Sequence, residues 1–172
     1  MKNIKCKMKL LLAACSLMLL ASCGIYSFRD VSIDYTKIKT VKIDIFDNKA
    51  PGYKNPQLSA LLTDKVQQKI TSQTKLSRTN SEEADMIIGG YVSDYSVSTS
   101  AITATQAATN RLNVGVHLIV KYKNEPAPKE YDVSRNFDFA ATLTLQQAEG
   151  QLLDQILKNI TDDIFNKLFS NW

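Results

Sequence analysis

The chain has 172 residues, 44% hydrophobic and 22% charged, with 21 Lys and Arg against 17 Asp and Glu. Four of those bases, Lys2, Lys5, Lys7 and Lys9, stand in the first nine positions, so positions 23–172 hold 17 of each sign and are neutral. A neutral chain lacks the field that draws proteins to polyanions, which excludes nucleic-acid binding driven by net charge.

The first element is the stretch LLAACSLMLLASCG at positions 11–24. Bases without an acid, an apolar run of about a dozen residues and a small-residue end are the parts of a secretory signal. The run is too short to cross a bilayer as a stable helix. Its end, Leu20-Ala21-Ser22-Cys23, resembles the bacterial lipobox. The resemblance implies that residues 1–22 are removed, that the Cys23 thiol carries diacylglycerol, and that the new amine is acylated. At about 0.8 kcal/mol per buried methylene, two or three acyl chains anchor firmly where one is marginal. Gly24 rather than Asp follows the cysteine, and no acidic cluster comes next, so the expected address is the periplasmic face of the outer membrane. Cys6 and Cys15 leave with the signal, so no disulfide braces the remaining 150 residues, and a hydrophobic core must hold them. The expected organisation is a signal peptide at 1–22, a lipidated N-terminus and tether at 23–36, and one domain at 37–172.

In that domain TVKIDIF at 40–46 alternates Val41, Ile43 and Ile45 with Lys42 and Asp44, the period of a half-buried strand, and Asp47-Asn48 breaks it. Asn55 and Pro56 are suited to the N-cap and first position of a helix. Leu58, Leu62, Val66 and Ile70 then form an apolar stripe that ends near Thr74. Residues 84–97 predict a second strand, with Tyr91, Ser93, Tyr95 and Val97 on one side and Ile88, Val92 and Asp94 on the other. Gly89-Gly90 inside it points to a bulge or to another backbone close by. Residues 98–110 carry no charge, Pro or Gly and suit a long loop or hairpin tip. Leu112, Val114, Val116, Leu118, Val120 and Tyr122 give the clearest strand, and Tyr131, Val133, Arg135, Phe137 and Phe139 a fourth. Thr144 and Gln147 form a capping-box pattern ahead of a stripe from Ala148 through Leu152, Ile156, Ile160 and Ile164 to Leu168. The predicted fold class is α+β: two helices packed on one face of a four-stranded sheet, in the order β-α-β-β-β-α.

Residues that carry chemistry are sparse. His117 is the one histidine and falls on the polar side of the best strand. Glu82, Glu83 and Asp85, and also Asp162 and Asp163, read as solvated surface. No nucleophile motif or phosphate-cradling glycine loop occurs, so no enzymatic activity, metal or cofactor is expected. Arg111, Lys121, Lys123 and Lys129 surround the third strand. They suit either an anionic headgroup or an edge that resists aggregation.

Six pieces carry a further resemblance: CGIYSF at 23–28, NPQL at 55–58, ITSQT at 70–74, GYVSDYSV at 90–97, NRLNV at 110–114 and DDIFN at 162–166. In this order and spacing they are similar to the LptE family of lipopolysaccharide-assembly lipoproteins. The resemblance implies a lipid-anchored plug inside an LptD-type outer-membrane β-barrel that supports barrel assembly and lipopolysaccharide delivery. It makes the barrel and lipopolysaccharide the expected partners. Segment 98–110 is then expected to enter the lumen, with Thr99, Ile102, Thr105 and Gln106 as candidate barrel contacts. Arg111 and Lys121 become candidate lipopolysaccharide contacts. The alternative is a periplasmic lipid- or peptide-binding scaffold that uses the sheet face without a barrel. On the lipobox reading, Cys23→Ala is expected to move the protein from the membrane to the soluble periplasmic fraction, as read by ultracentrifugation and immunoblotting.

Overall fold

The computed structural model describes residues 33–99 and 109–170. Strand β1 is Thr40–Ile43, with Val41 and Ile43 turned inward. The expected alternation stops there: Ile45 is 71% exposed and Phe46 is fully buried. The reason is a hydroxyl from elsewhere in the chain. The Phe46 amide donates to Thr63 Oγ1 at 3.0 Å, and Thr63 itself donates to the Ser59 carbonyl. A helix side chain thus takes over from the ladder and turns the chain by one residue. Asp47–Asn48, expected as a break, instead forms a two-residue strand β2.

Helix α1, Leu58–Gln73, buries Leu58, Leu62, Val66 and Ile70 as its stripe predicts, and Thr63 with them. Asn55 is not its cap. The Asn55 side chain accepts the Gln57 amide at 2.9 Å and starts a turn that precedes the helix, whose N-cap is Gln57. After α1 comes a short strand the periodicity does not show, β3 at Ser77–Arg78. Three long strands follow: β4 Met86–Thr99, β5 Thr109–Tyr122 and β6 Lys129–Ala140. Helix α2, Leu145–Phe169, opens on the expected capping box, with the Gln147 amide donating to the Thr144 hydroxyl and the Thr144 amide donating to the Gln147 side chain.

The sheet is therefore six-stranded and mixed, not four-stranded. Its order is β3-β1-β4-β5-β6, with β2 also beside β4. β3, β1 and β2 join in parallel, while β4, β5 and β6 are antiparallel. The two extra strands are too short to have a period. Both helices bury their stripes in one core with Val41, Ile88, Val92, Leu112, Val114, Val116, Leu118, Val120 and Val133. Each such side chain contributes about 1.5–3 kcal/mol by leaving water.

β4 changes face part-way along. Val92 pairs with Val116 and Asp94 with Gly115, so Ser93 is one residue too many. Inserting one residue exchanges the two faces beyond it. Val92 and Tyr95 consequently point into the same core, and Tyr91 lies on the other side of the sheet, contrary to the alternation read through 91–97. Gly90 marks the close approach instead of the bulge. A Cβ there would collide with the His117 carbonyl oxygen, and its φ of +158° already strains an L-residue. Gly150, in α2, has nothing within 4 Å of a Cβ. Gly90→Ala is expected to destabilise the fold by about 2 kcal/mol or more. Gly150→Ala should stabilise it by about 1 kcal/mol. Urea denaturation of both variants checks the pair.

Candidate functional site

The face of the sheet away from the helices is the surface available for a partner. Cross-strand register places Lys42, Tyr91, His117, Lys121 and Asp132 in its proximal half. Ser96, Ser98, Arg111, Asn113, Asn136 and Asp138 occupy the distal half. His117 is tied on both sides: its Nδ1 is 2.8 Å from Asp132 Oδ1 and its Nε2 is 3.3 Å from Glu130 Oε2. Its ring lies 5.1 Å from that of Tyr91, and Lys49 Nζ stands 4.5 Å from the centre of the same tyrosine ring. This arrangement clamps β6 to β5 and presents no free nucleophile or base.

The paired strands β4 and β5 make an arm of 14 residues each, or roughly 48 Å at about 3.4 Å per residue. Thr99 and Asn110 are the last pair, and Thr99 is exposed. Near this end Asn113 donates weakly to the hydroxyls of Ser96 and Ser98, and Val97 is 43% exposed. Apart from Arg111, the described arm beyond Tyr95 and before Val114 carries no charge. Ile102, Thr105 and Gln106 lie outside the described residues, as does Cys23.

Arg111 and Lys121 share a face but not a site. Ten residues of strand separate them, roughly 33 Å. The Arg111 guanidinium grips Asp138 through two hydrogen bonds, 2.7 and 3.1 Å, and this carboxylate raises its pKa. An anion at Arg111 competes with Asp138, whereas Lys121 is exposed and makes no ion pair among the described residues. Lys123 and Lys129 are held by Glu83 and Glu125.

The family model for LptE, described as lipopolysaccharide-assembly, matches residues 38–168, from the turn ahead of β1 to the last turn of α2. The chain belongs to the LptE family. The family is one of non-enzymatic lipopolysaccharide-assembly lipoproteins, and its members associate with the lipopolysaccharide transport machinery. No curated protein matches the chain. Among solved structures, it is similar in fold to a putative neuraminyllactose-binding hemagglutinin homolog from Helicobacter pylori. That match has 9% identity and a TM-score of 0.51 and covers 77% of this chain and 86% of that one. A looser likeness, with 8% identity and a TM-score of 0.47, is to the hypothetical protein CT253 from Chlamydia trachomatis, covering 76% and 98%. The rare lipoprotein B from Shewanella oneidensis, at 11% identity and a TM-score of 0.41, covers 74% and 89%.

Within this LptE-family fold, three groups that the sequence leaves as surface or stripe turn out to be paired. Asp85 Oδ2 accepts the amides of Lys39 and Thr40 and the Thr40 hydroxyl, each at 2.9 Å, and these bonds hold its carboxyl below the usual range. Asp162 and Asp163 are not merely solvated: Asp162 takes Lys69 of α1 at 2.6 Å, and Asp163 takes both arms of Arg135 of β6 at 2.6 Å. The third is Glu149, which is 6% exposed in the second turn of α2. The Tyr95 hydroxyl donates to Glu149 at 2.6 Å and the Tyr53 hydroxyl at 3.1 Å. The helix N-terminus favours a negative group there. Among the described residues no group of three or more His, Cys, Asp and Glu is placed to hold a metal, and no helix is long and apolar enough to cross a membrane.

Burial first, and then the bond to Glu149, pushes the Tyr95 hydroxyl well above the ordinary tyrosine pKa of 10.0. A folded-state value above the unfolded one stabilises the protein below pH 10 and is lost as pH rises beyond it. Chemical denaturation is expected to show stability falling above about pH 10, with a shallower fall in Tyr95→Phe. At neutral pH that variant is expected to lose about 1–3 kcal/mol, since a buried carboxylate keeps only one of its two donors.

Proposed function

We propose that this lipoprotein is the lipid-anchored companion of an LptD-type outer-membrane β-barrel, held at the periplasmic side of the outer membrane through Cys23. It plugs the barrel, supports its assembly, and takes part in delivering lipopolysaccharide to the cell surface. Family membership carries this reading. The long β4–β5 arm with its largely uncharged end supports it, because a polar lumen accepts hydroxyl and amide side chains without a desolvated charge. Segment 98–110 enters the lumen, with Thr99, Ile102, Thr105 and Gln106 as its contacts. Lys121 is the readier cation for a lipopolysaccharide phosphate, and Arg111 takes one only by releasing Asp138. The alternative, a lipid- or peptide-binding scaffold independent of a barrel, requires for its lipid-binding form an apolar groove on the open sheet face. Charged and hydroxyl-bearing side chains on that face count against it.

The test is affinity purification of the tagged, full-length protein from detergent-solubilised outer membranes, with mass spectrometry of what accompanies it. A stoichiometric large β-barrel is expected; a lipidated monomer without one would remove the plug reading. Deleting residues 99–108 is expected to weaken barrel association while leaving the circular-dichroism spectrum unchanged, because the core residue of β5 nearest the deletion, Leu112, pairs with Val97 and not with any deleted residue.

A further inference from the structure

Strand β6 ends the sheet, and among the described residues no strand lies beyond it. It is a long edge of an uncommon kind. Pairing with β5 runs from Thr109 opposite Ala140 to Val120 opposite Lys129 without a bulge, and the strand contains no proline. Most natural edges are shortened, bulged, interrupted or charged, because a flat row of free amides and carbonyls recruits another strand; of these devices this edge has only the charges.

The direction of those groups follows from the ladder. The amides of Asp44 and Lys49 donate to the carbonyls of Ile88 and Val92, so these residues of β4 face β1 and β2. Tyr91, opposite His117, therefore bonds to β5, and alternate residues of β5 such as Leu118 bond to β6. Tyr131 and Val133, opposite Leu118 and Val116, spend their groups on β5. Glu130, Asp132, Ser134, Asn136 and Asp138 turn theirs outward.

Two further observations say what fits. A groove of about 630 Å³ runs beside the first half of this edge, between Tyr131, Asp132, Val133 and Ser134 and the α2 residues Asp163, Asn166, Lys167 and Ser170. An added strand would set alternate side chains into it. The outer face of the edge carries Asp138, which Arg111 already holds, and the exposed Glu130 and Asp132, which share the single His117 and so leave at least one acid without a cation of its own. The acids oppose a second copy in some registers only: antiparallel pairing centred on Asp132 sets Asp132 against itself and centring on Ser134 sets Glu130 against Asp138, whereas centring on Val133 or Asn136 sets no two acids opposite each other. They favour lysine or arginine from a different chain.

We propose that the free edge of β6 accepts an extended, basic segment presented by the barrel partner, which joins the sheet as an additional strand. This rests on the barrel reading above. A photo-crosslinking amino acid is placed in the full-length protein at Ser134, at Asn136 and, for comparison, at Thr99 on the arm, and adducts are identified from irradiated cells. Adducts with the barrel from 134 and 136 are expected. S134P combined with N136P removes two outward amides and leaves the β5 ladder in place. It should lower barrel recovery by at least roughly tenfold with an unchanged thermal melt. Reversing charge with E130K and D132K, which also removes the His117 partners, should reduce the adducts by a similar factor with an unchanged thermal melt. A barrel adduct from 99 with none from 134 or 136, or undiminished barrel recovery by the proline pair, overturns the inference and leaves the barrel reading standing. An adduct of twice the chain's own mass from 134 or 136 overturns it in favour of a second copy. No barrel adduct from any position overturns both.

Discussion

The pairing of β4 with β5 is the constraint on which the remainder of the fold rests. Its register is set by two local facts, the absence of a Cβ at Gly90 against the His117 carbonyl and the extra residue at Ser93. Up to the bulge, β4 gives Met86, Ile88 and Val92 to the core; beyond it, β4 gives Tyr95. Without the inserted residue Tyr95 would face away from the helices and could not reach Glu149. Gly115 opposite the bulge completes the fit, since a Cβ there would come within 3.0 Å of Ser93 Oγ. One irregularity therefore decides both the polar character of the open face and the tie to α2.

Around that sheet, charge pairs and buried hydrogen bonds orient what apolar burial brings together. Lys69 and Asp162 join the two helices, Arg135 and Asp163 join α2 to β6, and Asp85 joins the starts of β1 and β4. The ion pairs are partly exposed, and such pairs add only about 0–1 kcal/mol each. Their contribution is to position rather than to total stability. Glu149 differs because it is buried, so its two tyrosine donors are needed to offset desolvation.

What was legible in the sequence was what repeats. The stripes of α1 and α2 and the alternation of β5 identify their elements because each period is sustained over several turns or pleats. The features that escaped depend on single distant partners. Ile45 and Phe46 exchange places because of a hydroxyl seventeen residues on. β2 and β3 are two residues long and have only parallel neighbours to define them. The pairing of Arg111 with Asp138 becomes visible only once the β5–β6 register is known, so a cation read as available is largely engaged. Glu149 stands beside an apolar stripe, and only the reversal of face in β4 brings Tyr95 to it.

The parallel placement of β1 has a consequence for the order in which the chain can be built. Val41 pairs with Met86 and, on its other side, with Arg78, so the first strand meets its neighbours only after α1 and the following connection exist. A chain delivered N-terminus first across a membrane would hold β1 as an unpaired apolar segment through that interval. The antiparallel β4–β5 pair closes over a much shorter separation and at lower entropic cost. Assembly is therefore expected to start in the middle of the sequence, with the residues nearest the proposed anchor joining after it. Until then Val41 and Ile43 are apolar side chains without the neighbours that bury them in the finished sheet.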